Sequence, residues 1–190
     1  LSAAIEAAME AEDLSTLQGL LISELTMEGT QFSSEDVPAL LEALNGVDDF
    51  GMEKLLLTHL ERIDVPPEEL VGGYLDYLDG TKKPMHLDAV LERITKIGGD
   101  AATEGLSDLV RQTPNERLRR EAALALAATG DPRGTPAIRE ALLKAENPEA
   151  AGPYLSALAR MGNEPAISTL VDYASRTGSA AGLRALREAK

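Results

Sequence analysis

Apolar residues recur at helical spacing along most of the chain, and in its second half the pattern itself repeats. Gly98, Gly130 and Gly162 stand 32 residues apart, each ending an apolar run and each followed by a polar turn: Gly99-Asp100, Asp131-Pro132 and Asn163-Glu164. Before the glycine, Leu91, Ala123 and Leu155 correspond, as do Ile94, Leu126 and Leu158. After it, Leu106, Ile138 and Leu170 correspond, as do Val110, Leu142 and Ala174. Glycine just past a helix end adopts the left-handed conformation at little steric cost, so each unit reads as helix, tight turn, helix. Neither helix can bury its apolar stripe alone, and a period of this length implies stacked hairpins.

The spacing predicts helices near 85–97, 101–112, 116–129, 134–144, 148–161, 163–175 and 179–189. Upstream the pattern is helical but degenerate, with helices expected near 2–11, 14–28, 35–45, 50–62 and 67–79. Gly29, Gly46, Pro66-Pro67 and Gly80 punctuate these, although Gly46 and Gly80 do not keep register with Gly98. No long flexible linker divides the halves, so residues 1–190 are expected to form a single α-solenoid: degenerate repeats over 1–83, regular 32-residue repeats over 84–190. A small separate N-terminal bundle is the alternative. Twelve helices make about six antiparallel hairpins, a stack on the order of 50 to 60 Å long. The last helix, with Leu183 and Leu186, looks like a first helix without its partner.

The stretch from Arg119 through Glu121-Ala122-Ala123-Leu124, Gly130-Asp131-Pro132 and Thr135-Pro136-Ala137-Ile138 resembles the short bacterial HEAT-like repeat, the subtype also seen in phycobilisome lyases. In that family an arginine and small residues open the first helix, a Gly-Asp-Pro turn follows, and a Pro-Ala-Ile segment opens the second. Residues 147–175 match less closely, with Gly162-Asn163-Glu164-Pro165 at the turn, and 84–112 match by period but lack the proline. The resemblance implies an all-α fold, a right-handed α-solenoid of HEAT-like hairpins. It is specific for fold and leaves function open.

Composition refines this picture. Aromatic residues are 3% of the chain, so the core must be built from Leu, Ala, Ile and Val. There is no cysteine, which removes disulfides, thiolate metal sites and cysteine nucleophiles. No apolar run approaches the roughly 20 residues a membrane span needs, and no basic segment precedes an apolar one at the N-terminus. The chain is thus expected to be soluble. It begins at Leu1, which reads as a processed or excised piece of a longer protein and assigns no compartment.

The net charge of −14 is unevenly placed. Residues 1–83 hold 18 acids and 4 bases, whereas residues 84–190 hold 14 of each. An acidic surface repels phosphate, which disfavours nucleic acid and leaves a basic protein or peptide as the expected partner; solubility alone would also account for the charge. Arg111, Arg117, Arg119 and Arg120 form a basic cluster of the kind that HEAT-like DNA glycosylases use. Here Glu116 and Glu121 interleave with it, and arginines in this repeat type ordinarily bridge adjacent units.

Catalytic inventory is thin. His59 and His86 are the only histidines, and no His-Glu pair completes the iron ligand set of HEAT-like deoxyhypusine hydroxylases. Gly72-Gly73 lies within an expected helix and Gly98-Gly99 ends one, which fits helix packing and capping better than phosphate binding. Ser15, Ser33, Ser34 and the Asp48-Asp49 pair stand where helix caps belong. No catalytic residue, cofactor or metal is expected.

One register-locked polar feature remains. Ten residues after each repeat glycine stand Asp108, Glu140 and Asp172. With positions 8, 11 and 12 after the glycine facing the core, position 10 points away from it, toward the groove that second helices line in a HEAT-like stack. An acidic ladder there suits a basic or amide-rich peptide; repeated acids at one wheel position equally describe a solvated face. The leading reading is a non-catalytic protein–protein interaction scaffold. An enzyme accessory or lyase-like subunit and a structural segment of a larger protein are the alternatives.

Overall fold

The computed structural model describes residues 33–46, 49–80 and 87–189, with Thr16, Gly19 and Ser23 as isolated helical positions. Among the described residues the regular structure is entirely helical. The helices expected over 2–11 and 14–28 otherwise lie outside them, as do Ser15, Asp48 and His86. The chain divides into two compact units, residues 1–90 and 91–190.

In the first unit a 3₁₀ turn over Ser34–Asp36 leads into α1 (Val37–Gly46), followed by α2 (Phe50–Leu60) and α3 (Pro67–Gly80). The Asp36 carboxylate accepts from the Ser33 N–H at 2.9 Å and its hydroxyl at 3.0 Å. Asp49 caps α2, accepting from the Met52 N–H at 2.9 Å, so the acid pair ends in a cap as its position suggested. α1 packs against both α2 and α3, burying Leu40, Leu44, Leu56, Leu57, Leu60 and Tyr74. Of the glycine pair inside α3, Gly73 serves this packing, since a Cβ on it would collide with the Leu41 side chain, whereas a Cβ on Gly72 would meet open space.

α4 (Leu87–Ile97) carries the division between the units. The second unit continues with α5 (Gly99–Gln112), α6 (Glu116–Thr129), a 3₁₀ turn over Pro132–Gly134, α7 (Thr135–Lys144), α8 (Pro148–Met161), α9 (Glu164–Thr177) and α10 (Ala180–Glu188). Successive hairpins pack first helix on first helix, α6 on α8 and α8 on α10, and second helix on second helix, α5 on α7 and α7 on α9. Two layers of helices result. Within α4, the Thr95 hydroxyl lies 2.8 Å from the Leu91 carbonyl and 3.4 Å from that of Ala125, tying the helix to α6.

The 32-residue register fixes where helices start and stop. Asn115 caps α6 by accepting from the N–H groups of Arg117 and Leu118, and Asn147 caps α8 through Ala150. Both helices end at left-handed glycines, Gly130 and Gly162. Gly98 differs from its counterparts. It has φ 66° and ψ −154°, a region that only glycine occupies readily, and Gly99 follows at φ 76°. Two such residues turn the chain at once, so α5 begins at Gly99 instead of residue 101. Similarly, Gly178 is a left-handed cap that lets α9 run to Thr177, two residues past its expected end.

Interior packing depends on small side chains. Along α6, Leu118, Ala122, Ala123 and Leu126 are buried, and the alanines let α5 and α8 approach closely. The turn after Gly130 folds back onto Leu126, such that a Cβ on Gly134 would stand 2.7 Å from two Leu126 side-chain carbons. Leu126 is itself fully buried, so any shift must be made against its neighbours in the core. Gly134→Ala should therefore cost about 1–3 kcal/mol through overpacking. Leu126→Ala should cost about 2–5 kcal/mol through the cavity it leaves. The double variant should lose clearly less than the sum, because the cavity accepts the new methyl group. Urea unfolding of the four proteins measures this coupling; strict additivity would show that the turn does not rest on Leu126.

Candidate partner-binding face

The second helices α5, α7 and α9 each bury the side marked by positions 8 and 12 after the repeat glycine: Leu106 and Val110, Ile138 and Leu142, Leu170 and Ala174. Position 10 then falls outside, and Asp108, Glu140 and Asp172 are all exposed. The three acids are not equivalent. The Arg111 guanidinium lies 3.6 Å from Asp108 and 3.4 Å from Glu140, joining α5 to α7. Lys144 pairs with Glu140 at 2.9 Å. Lys144 first, and Arg111 after it, hold the Glu140 carboxyl below its ordinary range. Asp172 forms no salt bridge among the described residues; Arg176 instead lies 3.4 Å from its backbone carbonyl oxygen.

Between α7 and α9 runs a groove of about 580 Å³. Pro132, Pro136, Leu143 and Pro165 give it an apolar floor and walls, and Glu140 and Asp172 line it from opposite helices. Pro132 and Pro165 are there because both turns place proline at or near a helix start, where its missing N–H costs no hydrogen bond. Leu143 is largely exposed, an apolar side chain without cover beside two acids. The groove thus combines two of the three register acids; Asp108 lies on the neighbouring helix and reaches Glu140 only through Arg111.

The arginine cluster is mostly committed to the fold. Arg119 donates to the Thr113 carbonyl at 2.5 Å, bridging the end of α5 and the start of α6. Arg120 pairs with Glu116 at 3.2 Å, Arg111 with its two acids, and Arg117 is exposed. His59 is half-buried in the last turn of α2. Among the described residues no three His, Cys, Asp or Glu side chains stand together as a metal site, and no helix is long and apolar enough to cross a membrane.

The structure also reveals a polar ladder at the repeat corners that the sequence reading overlooked. Asp131 Oδ1 accepts from the Arg133 N–H at 2.9 Å, capping the turn, while Asp131 Oδ2 accepts from the buried Thr103 hydroxyl at 3.2 Å. One repeat later Asn163 Oδ1 caps α9 through the Ala166 N–H at 2.9 Å, and its amide nitrogen donates to the Thr135 hydroxyl at 3.2 Å. Thr103 and Thr135 are 32 residues apart, as are Asp131 and Asn163, so the signal was present in the sequence. The Arg133 guanidinium then joins Asp131 to Asp100 of α5.

A two-layered stack of helical hairpins with a polar corner between successive units defines a helical-repeat protein. Residues 103–189 match the family model of HEAT repeats, a match that runs from within α5 through α10. Residues 84–102 carry the period but lie outside the match. Comparison with curated proteins finds no match to the chain.

The corner ladder has a pH signature. The hydrogen bonds from Arg133, its side chain first, hold the Asp131 carboxyl at about 2, well below the usual carboxylate range. A carboxyl depressed in the folded state contributes stability above its unfolded value, and that contribution disappears as pH falls through the folded one. Asp131→Asn retains a cap of the kind Asn163 provides but cannot respond to protons. The wild type should exceed the variant by about 1 kcal/mol at neutral pH, and the difference should vanish between about pH 4 and pH 2. Parallel thermal melts across that range test this; a difference independent of pH would assign the effect to the cap alone.

Proposed function

We propose that this chain is a non-catalytic interaction scaffold that binds a basic protein segment along the exposed face of α5, α7 and α9. HEAT repeats commonly mediate protein–protein interaction and typically belong to non-enzymatic scaffolds, which supports this reading. The observation that carries the finer reading is the groove between α7 and α9, where proline and leucine surfaces lie beside Glu140 and Asp172. An extended segment with a Lys or Arg flanked by apolar residues would satisfy both kinds of surface. Asp172 is its principal anchor, since its carboxylate has no salt-bridge cation among the described residues. Glu140 would exchange its solvent-exposed Lys144 contact for the incoming cation, an exchange of modest cost because exposed pairs are worth only about 0–1 kcal/mol. Asp108 extends the same negative potential along α5.

Reversing the charges separates this reading from a solvated face. Asp172→Lys should weaken partner binding most, by about 1–3 kcal/mol, followed by Glu140→Lys, with Asp108→Lys mainly slowing association. Since all three positions are exposed, far-UV circular dichroism and the melting temperature should change little. Calorimetry with basic peptides isolated by pull-down gives the ranking. Unchanged affinity in the triple variant, with helicity intact, would remove the proposal.

A further inference from the structure

The α7–α9 groove does not end at Leu143. A second hollow, of about 710 Å³, continues from it toward the C-terminal ends of the two helices. On α7 and its loop the lining passes from residues 132–143 in the groove to 142–148 in the hollow, and on α9 from 165–172 to 173–177. Leu143, 53% exposed, lines both. A smaller hollow of about 290 Å³ occurs one repeat earlier. Pro114, Ala141, Lys144 and Asn147 line that one, and their counterparts 32 residues later, Glu146, Tyr173, Arg176 and Ser179, line the larger. The earlier hollow stays open although the α9–α10 hairpin packs after it, so the corner between two hairpins makes the cavity, independently of where the stack stops.

The two corners differ in their lining. Ala141 of the smaller hollow gives way to Tyr173 in the larger, and Glu116 to Pro148. Tyr173 is half-buried with its ring braced on α10, where a Cβ on Gly182 would stand 3.1 Å from it. Leu142, Leu143 and Pro148 add apolar surface. The charged groups lining the larger hollow are Glu146 and Arg176, one of each sign, and no salt bridge joins them among the described residues. Arg176 makes a single bond there, from Nε to the Asp172 carbonyl oxygen at 3.4 Å. Where the groove sets two acids, Glu140 and Asp172, against one base, Arg139, the hollow is neutral in sum and mainly apolar, with a guanidinium largely uncommitted. Such surroundings suit an aromatic ring, whose faces pack on Leu143 and Tyr173 and attract the guanidinium.

We propose that the basic segment assigned to the α7–α9 groove, a reading on which this rests, carries an aromatic side chain two residues from its Lys or Arg. The cation sits at Glu140 and Asp172, and the ring enters the hollow between Leu143, Tyr173 and Arg176. The spacing follows from geometry. Asp172 and Arg176 stand one turn apart on α9, roughly 6 Å along its axis. In an extended chain, side chains two residues apart share one side and lie roughly 7 Å from each other, whereas adjacent side chains point to opposite sides.

Two-dimensional NMR titration of the full chain with acetylated, amidated pentapeptides tests the proposal. The reference peptide is Ser-Lys-Ser-Phe-Ser; its relatives replace Phe by Ser, replace Phe by Leu, place Phe directly beside Lys, or replace Lys by Ser. The reference should bind at least fivefold more tightly than the Phe-to-Ser and adjacent peptides, and at least twofold more tightly than the leucine peptide. Ala180→Trp fills the hollow from an exposed position, and in this variant the advantage of Phe over Ser should fall below twofold. Should it melt below the wild type, Arg176→Gln, also at an exposed position, should at least halve the same advantage. Equal binding of the reference and Phe-to-Ser peptides overturns the aromatic subsite. So does indifference to Phe against Leu or to the spacing, or an advantage that survives both substitutions. In each of those cases the groove reading stands as long as replacing Lys weakens binding. If replacing Lys changes nothing, the groove reading falls and takes the subsite with it.

Discussion

Each hairpin in the second unit leaves one side of its apolar stripe to be covered by the next, and the rest of the structure follows from that requirement. Alanine and leucine dominate the buried positions, with Ala122, Ala123, Ala157 and Ala159 letting helix backbones approach closely. Because the buried groups are small, the stack tolerates little error in spacing: Gly134 must be glycine for the turn to clear Leu126, and the same side chain closes the interior of α6. A repeat of constant length is the simplest way to hold such a fit from one hairpin to the next. The 32-residue register is thus a packing constraint before it is a family signature.

The threonine–Asx corner adds direction to this packing. Apolar contact between hairpins is tolerant of sliding, whereas a hydrogen bond from Thr103 to Asp131, or from Asn163 to Thr135, fixes one hairpin at one height on its neighbour. The capping residue does two jobs. One oxygen terminates its own turn or helix, and its second polar atom reads the position of the preceding repeat. That explains why Asp and Asn interchange at this corner: both present a cap acceptor and a second polar atom, and the threonine hydroxyl donates to one and accepts from the other.

Where sequence punctuation was complete, helix limits were legible. α6 and α8 span the residues expected of them because an Asn cap opens and a left-handed glycine closes each. α5 started early since a Gly-Gly pair turns the chain in less space than a polar loop. α7 is preceded by a 3₁₀ turn because Asp131 and Pro132 fix a tight bend before the α-helix can begin. The outward direction of Asp108, Glu140 and Asp172 followed from wheel position alone. Their differing partners did not, since Arg111 reaches Glu140 across helices that are 29 residues apart in sequence at these positions. Periodicity reports which face a residue occupies, while ion pairing depends on rotamers and neighbours that it does not encode. The corner ladder was missed for a different reason: threonine at a buried position carries no hydrophobic signal, so a search for apolar correspondence passes over it.

On the proposed reading, the pairing of the acids bears on what the groove would discriminate. A bare ladder of three carboxylates would attract any cation, and the affinity would collapse with salt. In this chain Asp108 and Glu140 are already neutralised in part by Arg111 and Lys144, whereas Asp172, beside the apolar walls of the groove, has no salt bridge among the described residues. A cation alone gains little from one exposed carboxylate. A cation attached to apolar neighbours gains from burial as well, and burial of a few side chains contributes more than an exposed pair. On the proposed reading, selectivity would rest on the two features being adjacent, because a segment seated between α7 and α9 would have to match both the charge and the proline–leucine surface.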